Sequence, residues 1–184
     1  MKRQVRSSVF ETNSSSTHSI VVSKKPVAAG GRIHFGIGEF GWENDRVSIV
    51  DYLYTAILLQ KEHNELLDRL KGILDNNSIE YEFEEPLWWR PDGSNHVYLD
   101  NGHIDHYDET REFVFAVLDN EDLLMRCLFG DSCVYTGNDN QDSEPDGCNI
   151  ASQHVYVVDN GGRYVQVQNP YHDPANYDYF YKGN

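Results

Sequence analysis

The order of apolar patterns along the chain predicts an α+β fold, with a mostly antiparallel sheet, one long helix and a pair of shorter helices in a single domain over 1–184. Three observations carry the prediction. Short β-branched and aromatic runs recur towards both ends, one long helical period fills residues 48–74, and two shorter helical periods follow residue 108. At 184 residues the chain can bury a real core, and 39% hydrophobic with 12% aromatic residues excludes a disordered composition.

HSIVVSKK (His18–Lys25) is short and β-branched, which predicts the first strand. PVAAGG (Pro26–Gly31) breaks it. RIHFGIGEFGW (Arg32–Trp42) then alternates as a second strand, although Gly36, Gly38 and Gly41 interrupt regular pairing. Ser48 offers a helix N-cap with Asp51 three residues later. Leu53, Ile57, Leu58, Leu66, Leu70 and Ile73 recur at helical spacing as far as Leu74, and Asn76–Asn77 ends the helix.

SIEYEFEE (Ser78–Glu85) alternates strictly, placing Ile79, Tyr81 and Phe83 inward and Glu80, Glu82 and Glu84 outward. PLWWRPDGSN reads as a loop, and HVYLD (His96–Asp100) as a short strand. ETREFVFAVLDN (Glu109–Asn120) sets Phe113, Val114, Val117 and Leu118 on one side of a helix. NEDLLMRCLFG predicts a second helix capped by Asn120 and stopped by Gly130. CVYTG (Cys133–Gly137) is a strand, DNQDSEPDGCN an acidic loop, and QHVYVVDNGGRYVQVQN a hairpin turning at Asn160–Gly161–Gly162. Residues 1–17 are expected as a basic, polar N-terminal arm, and the aromatic tail 170–184 is expected to pack on the body.

No stretch approaches the roughly 18 apolar residues of a membrane span, and MKRQVRSSVFE lacks the apolar core of a secretory signal. Cys127, Cys133 and Cys148 are odd in number and show no CxxC spacing, which fits thiols in a reducing cytoplasm. Charge is more informative. The formal net charge is −15, and residues 75–159 carry twenty carboxylates against Arg90, Arg111 and Arg126 alone, whereas the first 32 residues are net positive. A field of that sign repels nucleic acid, so the expected partner is a cation or a basic protein surface. The plainer reading is an acidic, well-solvated protein.

Several constellations bear on chemistry. HIDHYDE (His103–Glu109) groups His103, Asp105 and His106 with Asp108, all ligand types for zinc or manganese. It shadows the H-x-H-x-D-H motif of metallo-β-lactamase-type hydrolases, but Asn101 stands where the first histidine belongs. A metal-assisted hydrolase or nucleotide-processing enzyme built on His103, Asp105 and His106, with His18 as an optional further member, is therefore the runner-up, and an ordinary polar loop the better reading. Asp139, Asp142, Glu144 and Asp146 lack the order of an EF-hand calcium loop. There is no nucleophile elbow, no P-loop and no G-x-G-x-x-G opening a helix, so neither a cofactor nor a catalytic residue is assigned.

The favoured constellation is acidic. Glu80, Glu82 and Glu84, followed by Glu85, lie on a strand whose same-face side chains recur roughly every 6.6 Å. Successive phosphates along a nucleic-acid strand lie at a comparable roughly 6–7 Å. Asp108, Glu109, Glu112, Asp119, Glu121 and Asp122 add a second acidic ridge on the helical pair. Such carboxylates can substitute for phosphates in a channel lined with Lys and Arg. The alternative is the solvent face of an amphipathic strand.

Asn13, Ser14, Ser15, Ser16, Thr17 and His18 crowd hydroxyls around a histidine, yet no lysine or glycine beside them completes a phosphate clamp. Their side chains suit Asx- and ST-turns before a strand, with a contact surface as the lesser alternative. The stretch SSVFETNSSSTHSIVV, specific over Val9 to Ile20, resembles the N-terminal signature of a family of small proteins from Firmicutes, their phages and mobile elements. LMRCLFGDSCVYTGNDN (Leu124–Asn140) is similar to the same family's helix–strand pattern. Some such proteins look like anti-CRISPR inhibitors of the type II RNA-guided nuclease. The resemblance implies a phage-derived, non-enzymatic inhibitor in the bacterial cytoplasm that binds the nuclease and blocks its engagement of target DNA, by nucleic-acid mimicry or by locking a conformation.

Overall fold

The computed structural model describes residues 16–28, 30–41, 45–91, 98–138 and 154–182. In chain order, β1 (Ser16–Ser23), β2 (Arg32–Phe35), β3 (Glu39–Phe40) and β4 (Asp45–Val47) precede α1 (Ile49–Leu59) and α2 (His63–Asn76). Then come β5 (Glu80–Phe83), β6 (Trp88–Trp89), β7 (Tyr98–Leu99) and β8 (His103–Ile104). A 3-10 turn (Tyr107–Thr110) leads into α3 (Arg111–Asp119) and α4 (Glu121–Phe129). β9 (Cys133–Asn138), β10 (His154–Val158), β11 (Tyr164–Gln168), a 3-10 turn (Pro170–His172) and β12 (Tyr177–Lys182) close the order. The α+β class stands as the sequence predicts.

The principal sheet is antiparallel, with strand order β12–β1–β9–β4. β1 lies inside it and is buried on both faces at every residue but Thr17. Ile20 and Val22 join the main core, while Val21 and Cys133 lie in a smaller cluster covered by Tyr135, Tyr171, Tyr177 and Tyr179. The aromatic tail is thus more than a cover, because β12 pairs with β1 from Lys182 to Tyr177.

α1 is the centre of the main core, with eight of its eleven residues buried, the pattern expected of a helix surrounded by protein. Ser48 caps it, accepting from the Asp51 N–H at 3.3 Å. The single long helix expected over residues 48–74 is in fact two. Gln60 adopts an extended backbone, and its side-chain amide donates to Ala56 O and Thr110 Oγ1. Between Leu59 and Leu66 the sequence is wholly polar, so no apolar stripe holds the helix to the core there, and the chain turns.

RIHFGIGEFGW also divides. The N–H groups of Gly36, Ile37 and Gly38 donate to Asp51 Oδ1 at 2.8 Å, Glu84 Oε2 at 2.8 Å and Thr55 Oγ1 at 3.1 Å, instead of to a neighbouring strand. Glycine is required at position 38, where a Cβ would sit 2.6 Å from the Phe40 ring. β2 pairs with β5, and β3 with β8, in parallel. Parallel pairs need a crossover, and the α1–α2 segment supplies it for β2 and β5. The expected loop PLWWRPDGSN contains β6, which pairs with β7. α3 and α4 lie as predicted, with Asn120 accepting from the Leu123 N–H at 3.1 Å. The β10–β11 hairpin forms in the predicted place, with Gly162 at φ +75° in its turn.

Candidate protein-binding surface

The hydroxyl-rich run is divided by the boundary of the described residues: Asn13, Ser14 and Ser15 lie outside them, while Ser16, Thr17 and His18 begin β1. Ser16 and His18 are fully buried, so neither belongs to a surface turn or offers itself to a partner. His18 Nε2 lies 2.9 Å from the Gly41 carbonyl, which can only accept, so that nitrogen carries a proton. Its Nδ1 lies 2.8 Å from the Tyr52 hydroxyl. Burial, with the Glu109 charge adding, pushes the Tyr52 hydroxyl up, so Tyr52 keeps its proton beside Nδ1. His18 is a structural link between the sheet, α1 and the segment after β3. In an extended strand, alternate residues of the run point to opposite faces: His18 meets α1, whereas Ser19 Oγ lies 3.1 Å from Tyr179 Oη.

The runner-up metal set does not converge. His103 is exposed on β8, and His106 takes a left-handed conformation at φ 52° that turns the chain into the 3-10 helix. Nε2 of His106 lies 3.8 Å from Asp105 Oδ1. Among the described residues no group of three or more His, Cys, Asp or Glu side chains is disposed to hold a metal ion. Asp139, Asp142, Glu144 and Asp146 fall outside the described residues.

The acidic row on β5 is shorter than its alternation predicts. Glu80 and Glu82 are exposed, and Glu82 pairs with Arg32 at 2.8 Å. Glu84 leaves the row. Its Oε2 accepts from the Ile37 N–H, its Oε1 lies 3.4 Å from Asn101 Nδ2, and its carbonyl accepts from the Tyr54 hydroxyl at 2.8 Å. Burial, with the Glu84 charge adding, pushes that hydroxyl up to about 12. Glu84 is a clamp between β5, α1 and the glycine segment, and only the exposed Glu85 extends the acidic row beyond it.

The carboxylates of the second ridge are all exposed, but the fold treats them differently. Asp119 pairs with Arg69 at 2.6 Å and Asp122 with Arg126 Nε at 2.9 Å. Glu121 accepts from Asn77 Nδ2 at 2.9 Å. Asp108, Glu109 and Glu112, in contrast, form no ion pair among the described residues, and they rim an open hollow of about 620 Å³ with Arg111, Phe115 and Tyr181. Arg111 does not offset them. Both its terminal nitrogens bind Glu62, at 2.9 and 3.0 Å, and those hydrogen bonds hold the Glu62 carboxyl low. The guanidinium also lies 4.5 Å from the Phe115 ring centroid. A hollow with aromatic walls and uncompensated carboxylates suits a cationic side chain.

Phe115 and Tyr181 escaped the sequence reading. The available signal was Phe115 itself, an aromatic residue set off the buried stripe of α3 and four residues from Arg111. Tyr181 became a wall only through the pairing of β12 with β1. No family model, curated protein or solved structure matches the chain.

Proposed function

We propose that the chain is a non-enzymatic acidic binding protein that docks on a basic protein surface through the rim of Asp108, Glu109 and Glu112, with Glu80, Glu82 and Glu85 as a secondary row. The observation that carries this reading is the rim itself: exposed carboxylates without ion pairs among the described residues, around a hollow walled by Phe115 and Tyr181. The resemblance of residues 9–20 implies which basic surface is meant, the nucleic-acid channel of a type II RNA-guided nuclease in the cytoplasm of a phage-bearing host. There the carboxylates stand in for phosphates and exclude target DNA. Electrostatic steering makes such association fast and sensitive to salt.

The test measures binding to the guide-loaded nuclease and inhibition of DNA cleavage. Asp108→Asn, Glu109→Gln and Glu112→Gln combined should weaken binding at least about tenfold, a loss of about 1.4 kcal/mol, and flatten its salt dependence. A nuclease that neither binds nor is inhibited by the wild-type chain rejects the partner. Binding that the triple variant leaves unchanged at low salt rejects the rim.

A further inference from the structure

β5 pairs with β2 and with no other strand among the described residues. The Glu84 N–H donates to the Phe35 carbonyl at 2.9 Å. The N–H and C=O of one strand residue point to the same side, and those of the next residue to the other. The backbone groups of Glu80, Glu82 and Glu84 therefore face β2, and those of Tyr81 and Phe83 face away. Tyr81 and Phe83 bond no other backbone group among the described residues. Exposure marks the same side as open. On the inner face Ile33 and Phe35 of β2 are buried, whereas their partners Tyr81 and Phe83 are only half-buried.

The edge and its side chains select the occupant. A row of unpaired N–H and C=O groups is a template for a further strand, and the side chains beside it choose which strand. On the outer face Glu80 and Glu82 are exposed and recur about 6.6 Å apart. Their other flank shows what such a neighbour carries. β2 sets Arg32 opposite Glu80 and His34 opposite Glu82, and Arg32 binds Glu82 at 2.8 Å. Glu80 forms no ion pair among the described residues. Opposite charges on adjacent strands stabilise their pairing. On the inner face Lys71 lies 5.8 Å from the Phe83 ring centroid. It disfavours a second cation there, so apolar side chains fit beside Tyr81 and Phe83.

We propose that β5 captures an extended segment of a basic protein by strand addition, with Lys or Arg opposite Glu80 and Glu82 and apolar residues against Tyr81 and Phe83. This rests on the reading of a basic partner and gives the secondary acidic row its ligand. It requires neither the Asp108, Glu109 and Glu112 rim nor a nuclease. The backbone groups of only Tyr81 and Phe83 hold the segment, so capture is weak and acts as a tether beside a larger contact.

A blocked peptide of alternating arginine and valine, titrated to about 1 mM into the full chain, tests it by NMR. Binding should protect the Tyr81 and Phe83 amides from hydrogen exchange. Two further peptides carry N-methyl groups on alternate residues, one on the arginines and one on the valines. The one whose methyl groups face β5 should bind at least about tenfold more weakly, and the other like the parent. Glu80→Gln with Glu82→Gln should also weaken binding about tenfold, while the triple rim variant should bind as wild type does. No binding at about 1 mM overturns the proposal, as does binding that leaves the Tyr81 and Phe83 amides unprotected. Equal binding of both methylated peptides, or loss of binding in the rim variant, overturns it too. A chain that captures the peptide but ignores the nuclease rejects only the partner named above. One that binds the nuclease but not the peptide rejects only strand addition.

Discussion

Glu84 after β5 and Glu112 on α3 both stand in acidic runs of similar density, yet one carboxylate holds the fold together and the other faces solvent without an ion pair among the described residues. The cause lies beyond either run. Glu84 is opposite the glycine segment after β2, whose N–H groups have no strand to bind and take side-chain acceptors instead. Glu112 sits beside Arg111, whose charge is already held by Glu62 from α2. A run of carboxylates thus marks where negative charge is available, and the surrounding donors decide whether it stabilises the protein or is left for a partner.

Asp178 marks the structural extreme of this comparison. Arg126 is nearly buried, and it binds Asp178 at 2.8 Å, Asp122 at 2.9 Å and the Ser23 carbonyl at 3.2 Å. Removing one partner of such a buried guanidinium is costly, so Asp178→Ala should lose about 3 kcal/mol in urea unfolding. Glu84→Ala should lose about 2 kcal/mol, by leaving the Ile37 N–H without its acceptor. An unchanged urea midpoint for Glu84→Ala would place Glu84 with the free carboxylates.

The acid limb separates the two kinds of carboxylate further. Burial opposes ionisation of Asp178, but hydrogen bonds and charge from Arg126 and Lys24 hold its carboxyl below the ordinary value. A depressed folded pKa stabilises the protein above the unfolded pKa of about 3.9, and that contribution is lost as pH falls through the folded value. Unfolding midpoints measured down the acid limb should therefore fall more steeply for wild type than for Asp178→Asn. Arg32→Ala, which frees the exposed Glu82, should cost less than about 1 kcal/mol. Smallest in stability is Glu112→Gln, within about 0.5 kcal/mol of wild type in the same assay; a large loss there would make the rim structural.

Much of the fold was legible locally. The Ser48 and Asn120 caps, the buried stripe Phe113–Val114–Val117–Leu118 and the Asn160–Gly161–Gly162 turn all follow from spacing and short-range hydrogen bonding. The break at Gln60 was legible only as a gap in the apolar stripe, and a gap does not reveal a bond to Thr110. The candidate site was half legible: Asp108, Glu109 and Glu112 could be named, but not the walls Phe115 and Tyr181 or the neutralisation of Arg111 by Glu62 across 49 residues.

By itself the amino-acid sequence determined the α+β class, the excess of negative charge and the elements whose signals lie within one or two turns. Tertiary structure alone decided that Ser16 and Thr17 join the strand predicted from His18 and that this strand is buried, that β2 and β5 run parallel, and which carboxylates are held and which have no ion pair among the described residues. The physical reason is range. Caps, periodicity and turn chemistry act between near neighbours, whereas the burial of His18 needs Tyr52 and the Gly41 carbonyl. The state of each carboxylate likewise depends on a donor brought to it by the rest of the fold.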